Sequence, residues 1–208
     1  MGWHTKNTGV YALGSAEADD NAVMIYQVLH SLGFEYNAIC AVLGNIGYES
    51  GYNPWRWQSD SVLATTDSYY INNQSGHAYG LLQYDPAGGN KYINNAAAMA
   101  YPTYGPNFSN QVGSTQDGDA QLRWMDSYDI PTNHAYIPTS AYPLNYGQFK
   151  VSTNTVSHLT YAWEYNYERG TWSNDRLTHA AYWETNLINL IPTGIPVWML
   201  FKFRQRWW

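Results

Sequence analysis

The chain has 208 residues, the size of one ordinary domain and short for two. Only 12% of residues are charged, against roughly 25% in an average soluble protein, while 17% are Tyr, Trp or Phe, so the surface must be largely uncharged-polar and aromatic. A net charge of -6 has the wrong sign for gripping phosphate backbones, and the single Cys allows neither an internal disulfide nor a Cys-rich zinc site; nucleic-acid binding, a disulfide-stapled fold and a zinc finger are thereby set aside.

The N-terminal arm, residues 1–14, opens Met1-Gly2-Trp3-His4-Thr5-Lys6 without an apolar run, so no standard secretory signal is expected. Ser15 can cap a first helix in which Met24, Ile25, Val28, Leu29 and Leu32 recur at helical spacing until Gly33. Asn37 is expected to cap a second helix, whose Ile39, Val42, Leu43 and Ile46 follow the i, i+3, i+4, i+7 rule and which ends near Gly51 and Pro54. Turn formers interrupt every apolar run over 55–80, which reads as loop or short irregular strand. A short helix over 90–100, a loop over 102–114 and a helix over 119–128 follow. Pro131, Pro138 and Pro143 make 129–148 an extended connection, and helices are predicted over 156–167 and 176–187. The expected class is α+β, mainly α, with a loop-rich insertion after the second helix and a body spanning 15–187. The tail, 188–208, is apolar and then interleaves Lys202, Arg204 and Arg206 with aromatics; Pro192 and Pro196 and its length argue against a membrane span. It reads as a linker or docking strand for a neighbouring protein, with membrane-interface contact as the second reading.

Glu49 is the first candidate for chemistry. It falls at the edge of the apolar stripe of the second helix, and in the last turn, where exposed carbonyls repel negative charge. Both effects favour keeping a proton on it, the state a general acid needs; the bland alternative is a solvated helix-end glutamate. After a loop-rich gap comes Gly80-Leu81-Leu82-Gln83, where Ala78 and Gly80 let backbone approach a ligand closely and Gln83 offers a donor and an acceptor.

Glu49-Ser50 followed by this Gly-Leu-x-Gln resembles goose-type lysozymes and soluble lytic transglycosylases. The stretch from Ala38 to Gln58, AICAVLGNIGYESGYNPWRWQ, is similar to the phage tail lysozyme family, the lysozyme domain of tail-tip proteins of short-tailed phages of Gram-positive bacteria. Gly80-Leu81-Leu82-Gln83-Tyr84-Asp85-Pro86, Tyr167-Glu168-Arg169 and Ala181-Tyr182-Trp183 continue the likeness over about 15–187, with an enlarged loop over 103–116. The resemblance implies a lysozyme-like fold in the virion tail tip, cleaving the β-1,4 bonds of peptidoglycan glycan strands during genome ejection. It gives Glu49 the general acid role, lines the sugar cleft with Gln83, Tyr84 and Tyr79, and makes Ser50 a support residue. Some tail-tip proteins of this kind continue into a metal-dependent peptidase domain; none follows within these residues, so no peptide cleavage is expected of them.

A second carboxylate is sought in Asp60, ionised in the polar loop Gln58-Ser59-Asp60-Ser61, then Asp67; Asp85, before Pro86, more naturally fixes a turn. If none is in reach, the substrate's own 6-hydroxyl attacks, as in lytic transglycosylases, with Glu49 as acid and then base; hydrolysis is the preferred reading. Glu168 is expected to support the site through an ion pair or a buried hydrogen bond to the cleft loop rather than to react. Trp55, Trp57, Tyr69, Tyr70, Tyr79 and Tyr84 fall near the cleft as stacking surfaces, and His77 adjoins it as a further substrate contact. Cys40 lies inside the second helix among apolar residues and is expected to be an inert buried thiol. The histidines show no metal-ligand spacing, and no metal or cofactor is expected. The expected partners are glycan strands and, through the tail, other tail proteins. The competing class is a non-catalytic glycan-binding tail module on an inert lysozyme scaffold.

Overall fold

The computed structural model describes residues 2–6, 9–54, 56, 78, 80–83 and 117–191. Among these the chain is mainly helical and forms no strand, so the α part of the expected class stands without its β part. The irregular strands, short helix and loop-rich insertion expected over 55–116 lie almost wholly outside the described residues.

Helix α1 (Ala16–Ser31) begins as expected, with the Ser15 hydroxyl accepting from the Ala18 amide. Helix α2 (Tyr36–Ser50) starts earlier than Asn37. The Glu35 amide donates to the Lys150 carbonyl at 2.8 Å and fixes the chain's entrance, while Asn37 donates its side-chain amide to the Asn154 carbonyl instead of capping. At the other end Gly51 takes the left-handed conformation, φ 54°, and its amide returns to the Gly47 carbonyl, a cap that favours glycine.

Helix α3 (Asp117–Trp124) runs through a π-helical turn, Met125–Asp129, into a last turn, Ile130–Asn133, and so outlasts its expected end at 128. Pro131 is tolerated because it stands in the first turn of that closing segment, where a missing N–H costs little. Helix α4 (Tyr146–Lys150), which periodicity could not reveal in one turn, is held by a reciprocal capping box between Asn145 and Gln148. Helix α5 (Val156–Trp163) passes into a second π-helical turn, Glu164–Glu168, closed by Arg169 at φ 51°. Helix α6 (Asn174–Leu190) is longer than expected at both ends, so the boundary drawn at residue 188 falls inside it; 192–208 lie outside the described residues. No helix among the described residues is long and apolar enough to cross a membrane.

The core is built around α2, which packs mainly on α6 and α5 and also meets α1. From Ala38 to Gly47 every residue is buried, so α2 has no single apolar stripe; it is enclosed on all sides. A Cβ on Gly44 would lie 2.6 Å from both the Ala180 Cβ and the Arg176 carbonyl, and this absence of side chain lets α6 lie against α2. Gly44→Ala is therefore expected to cost about 1–3 kcal/mol through forced separation of the two helices. Thermal unfolding followed by circular dichroism checks this: a midpoint several degrees lower is expected, and an unchanged one would mean that the interface gives freely.

The N-terminal arm is bound to this body. Trp3 is buried and its indole N–H donates to Asp119 at 3.0 Å. The fully buried Asn21 side chain pairs with both backbone groups of His4 and reaches the Tyr52 carbonyl, and Asn53 does the same for Lys6 and Gly9. These amides satisfy backbone groups that have no helix or sheet to join.

Candidate active site

The close approach of α6 to α2 brings Arg176, in the first turn of α6, under the end of α2. Arg176 is 1% exposed. Its Nη2 donates to Glu49 Oε1 at 2.5 Å, its Nη1 donates to Asn45 Oδ1 at 2.8 Å, and its Nε lies 3.0 Å from Glu164 Oε2. The Tyr48 ring covers the guanidinium at 4.3 Å. A buried cation is tolerable only with such partners, and Arg176 spreads one charge over two carboxyls from different elements. Glu49 keeps 20% of its side chain exposed and forms the outer edge of the group.

Behind it stand two glutamates one turn apart. Glu164 is 1% exposed; burial pushes its pKa up, and so does the Glu49 charge, against the opposing pull of Arg176. Glu168 accepts from the Trp163 indole at 3.1 Å. Burial and then the Glu49 charge push Glu168 well above the usual carboxylate range, with Arg176 and the indole opposing. Three carboxyls thus gather about one guanidinium, and burial raises the inner pair. The apolar edge expected around Glu49 is in fact a guanidinium on one side. Glu168 does receive a hydrogen bond, but from a residue of its own helix.

The raised Glu168 has a consequence for stability. A carboxyl that binds its proton more tightly folded than unfolded contributes stability below its unfolded value, about 4.3, and that contribution is lost as the pH rises through the folded one. Glu168→Gln removes this loss. The unfolding midpoint of the variant relative to wild type is expected to rise steadily from pH 4 to pH 8; a difference that does not change with pH would contradict the assignment.

The Gly-Leu-x-Gln segment lies against the chain leaving α2. The Gly80 amide donates to the Arg56 carbonyl at 2.9 Å, and the Gln83 side-chain amide donates to the Arg56 and Gly80 carbonyls at 3.1 and 2.9 Å. Gln121, fully buried, accepts from the Leu81 amide and donates to the Pro54 carbonyl, both at 2.7 Å. Gly80, at φ 86° with the Gln121 amide packed behind it, must be glycine. The donor face of Gln83 therefore holds this turn together. Ser50 is buried and donates its hydroxyl to the Ile46 carbonyl at 3.0 Å, inward.

Asp60, Trp57, His77, Tyr79 and Tyr84 lie outside the described residues, as do Asp67, Asp85, Trp55, Tyr69 and Tyr70. Burial pushes the Cys40 thiol up to about 12, which leaves it unreactive near neutrality. Among the described residues no group of three His, Cys, Asp or Glu is arranged to hold a metal ion.

Sequence reasoning missed Arg176, Asn45, Tyr48 and Glu164. One signal was available: between residues 170 and 201 Arg176 is the sole Lys or Arg, and it stands in the first turn of a helix, where the macrodipole disfavours a cation. An isolated cation there calls for a buried anionic partner, although only the tertiary structure identifies which.

The family described as phage tail lysozyme matches residues 20–187. Morphogenesis protein 1 of Bacillus phage B103 is 28% identical over 186 residues, which cover 88% of this chain and 43% of that protein. The chain thus spans less than half the length of this curated relative. Glu49, Gln83, Glu164, Glu168 and Arg176 all fall inside the stretch matched by the family.

Proposed function

The chain belongs to the phage tail lysozyme family, and from that premise we propose that it cleaves the β-1,4 glycosidic bonds of peptidoglycan as a virion-associated enzyme of the tail tip, opening the cell wall for genome delivery. The observation that carries this reading is the placement of Glu49. Its carboxyl stands at the partly exposed end of a buried helix, one oxygen is fixed by Arg176, and the adjoining chain is fastened to the Gly80–Gln83 turn. A fixed carboxyl at the exposed edge of a buried cluster is placed to meet the oxygen of a leaving sugar.

In this mechanism Glu49 protonates the glycosidic oxygen, the bond to the anomeric carbon breaks, and positive charge develops on the sugar ring. The proton's departure leaves Glu49 anionic beside Glu164, so the cluster gains negative charge as the ring becomes positive. Asp60 or a neighbour then directs water to the ring carbon. If the sugar's own 6-hydroxyl attacks, Glu49 takes up its proton and the product is an anhydro sugar. The name of the phage B103 relative favours a place in the assembled particle, and the tail 188–208 is proposed to meet other tail proteins.

Purified cell walls incubated with the chain, with the soluble products read by mass spectrometry, test this. New reducing saccharide ends support hydrolysis and anhydro ends support transglycosylation. Walls that bind the protein and release no saccharide would favour the non-catalytic module.

A further inference from the structure

We propose that Arg176 is a positioning residue shared by two carboxyls, Glu49 and Glu164, so that the pair keeps one proton between them and yields it to Glu49 when glycan covers that side chain. The inference rests on the acid role proposed for Glu49. Its basis is geometric: one guanidinium, 1% exposed, bonds Glu49 through Nη2 at 2.5 Å and approaches Glu164 through Nε at 3.0 Å without hydrogen-bond alignment. One positive charge balances one carboxylate, and a second carboxylate on the same guanidinium is the arrangement in which like charges make one group retain its proton.

The better bond goes to Glu49, so in the free protein the proton rests on Glu164. Glu164 is enclosed whereas Glu49 still meets water, and a bound saccharide removes that water and disfavours the Glu49 charge. The O–H bond on Glu164 then breaks, one forms on Glu49, and Arg176 turns its charge to Glu164; the charge of the cluster is unchanged. After Glu49 gives the proton to the leaving oxygen, both carboxylates share Arg176, with one net negative charge opposite the positive sugar ring. The groups facing this pair are Asn45 and Tyr48 from α2, Glu168 from the turn after α5, and Arg176 from α6. Burial pushes Glu168 well above the usual carboxylate range, and the neighbouring Arg169 and Asp175 are exposed.

Glu164→Gln tests the inference. With Arg176 left wholly to Glu49, the alkaline limb of the kcat–pH profile for saccharide release is expected to move to lower pH by about one unit, with KM little changed. Glu184→Gln, at an exposed carboxylate on α6, should leave the limb in place. A limb unmoved in folded Glu164→Gln overturns the inference. If that variant does not fold, Glu164→Asp, which withdraws the carboxyl from Nε, is expected to move the limb the same way by less; no movement is again contrary. A readout independent of cleavage separates the two proposals. Because Glu164 is raised when folded, wild type should lose unfolding midpoint relative to Glu164→Gln as the pH rises from 4 to 8. Parallel curves overturn the shared proton even in an inactive protein. Diverging curves without any saccharide release overturn the enzymatic reading and leave the shared proton standing.

Discussion

Arg176→Met is expected to destabilise the protein by about 3–5 kcal/mol at neutral pH, the usual cost of removing one partner from a buried ion pair. That is a large share of the roughly 5–15 kcal/mol that holds a typical domain together. The loss has identifiable parts. Asn45 Oδ1 and Glu49 Oε1 forfeit their donor, the buried Glu164 carboxyl loses the guanidinium beside it, and so does the Tyr48 ring. Glu164 escapes part of its share by holding a proton, so the cost should shrink at pH 5. Urea unfolding of wild type, Arg176→Met, Glu164→Gln and the double variant measures it. The double variant is expected to recover part of the loss, since it removes a buried carboxyl that has lost its partner. A cost below about 1 kcal/mol in the single variant would mean that the cluster is solvated rather than dry.

Glu49→Gln is expected to lower kcat for glycan cleavage by about 10²–10⁴, the range a general acid supplies, with KM nearly unchanged. The amide keeps the shape of the side chain and an oxygen that can accept from Arg176 Nη2, but it has no proton to give at neutral pH. Far-ultraviolet circular dichroism and wall binding should therefore match wild type. A fall in binding that equals the fall in cleavage would mean that Glu49 holds the sugar instead of reacting with it.

The sequence disclosed the parts of this site that are local. The cap at Ser15, the run from Ile39 to Ile46 and the stop at Gly51 are written in neighbouring residues, and they placed Glu49 at the end of α2 correctly. Gly80-Leu81-Leu82-Gln83 was legible as a motif, although the structure gives the Gln83 donors to the backbone of Arg56 and Gly80. What stayed hidden depends on distant partners. Asn37 looked like a cap until the Asn154 carbonyl claimed its amide, and α4 is one turn held by side chains rather than by periodicity. The environment of Glu49 was misjudged for the same reason. A helical wheel shows which side is apolar, whereas Arg176 reaches Glu49 from 127 positions away through a gap opened by Gly44.

The central claim is that Glu49 of this chain breaks the glycan, and dye release from labelled glycan strands stripped of their stem peptides tests it most directly. At equal amounts of bound protein, wild type is predicted to release dye continuously and Glu49→Gln to release it at least about a hundredfold more slowly. Equal release by the two proteins, or binding by wild type with no release at all, would contradict the account.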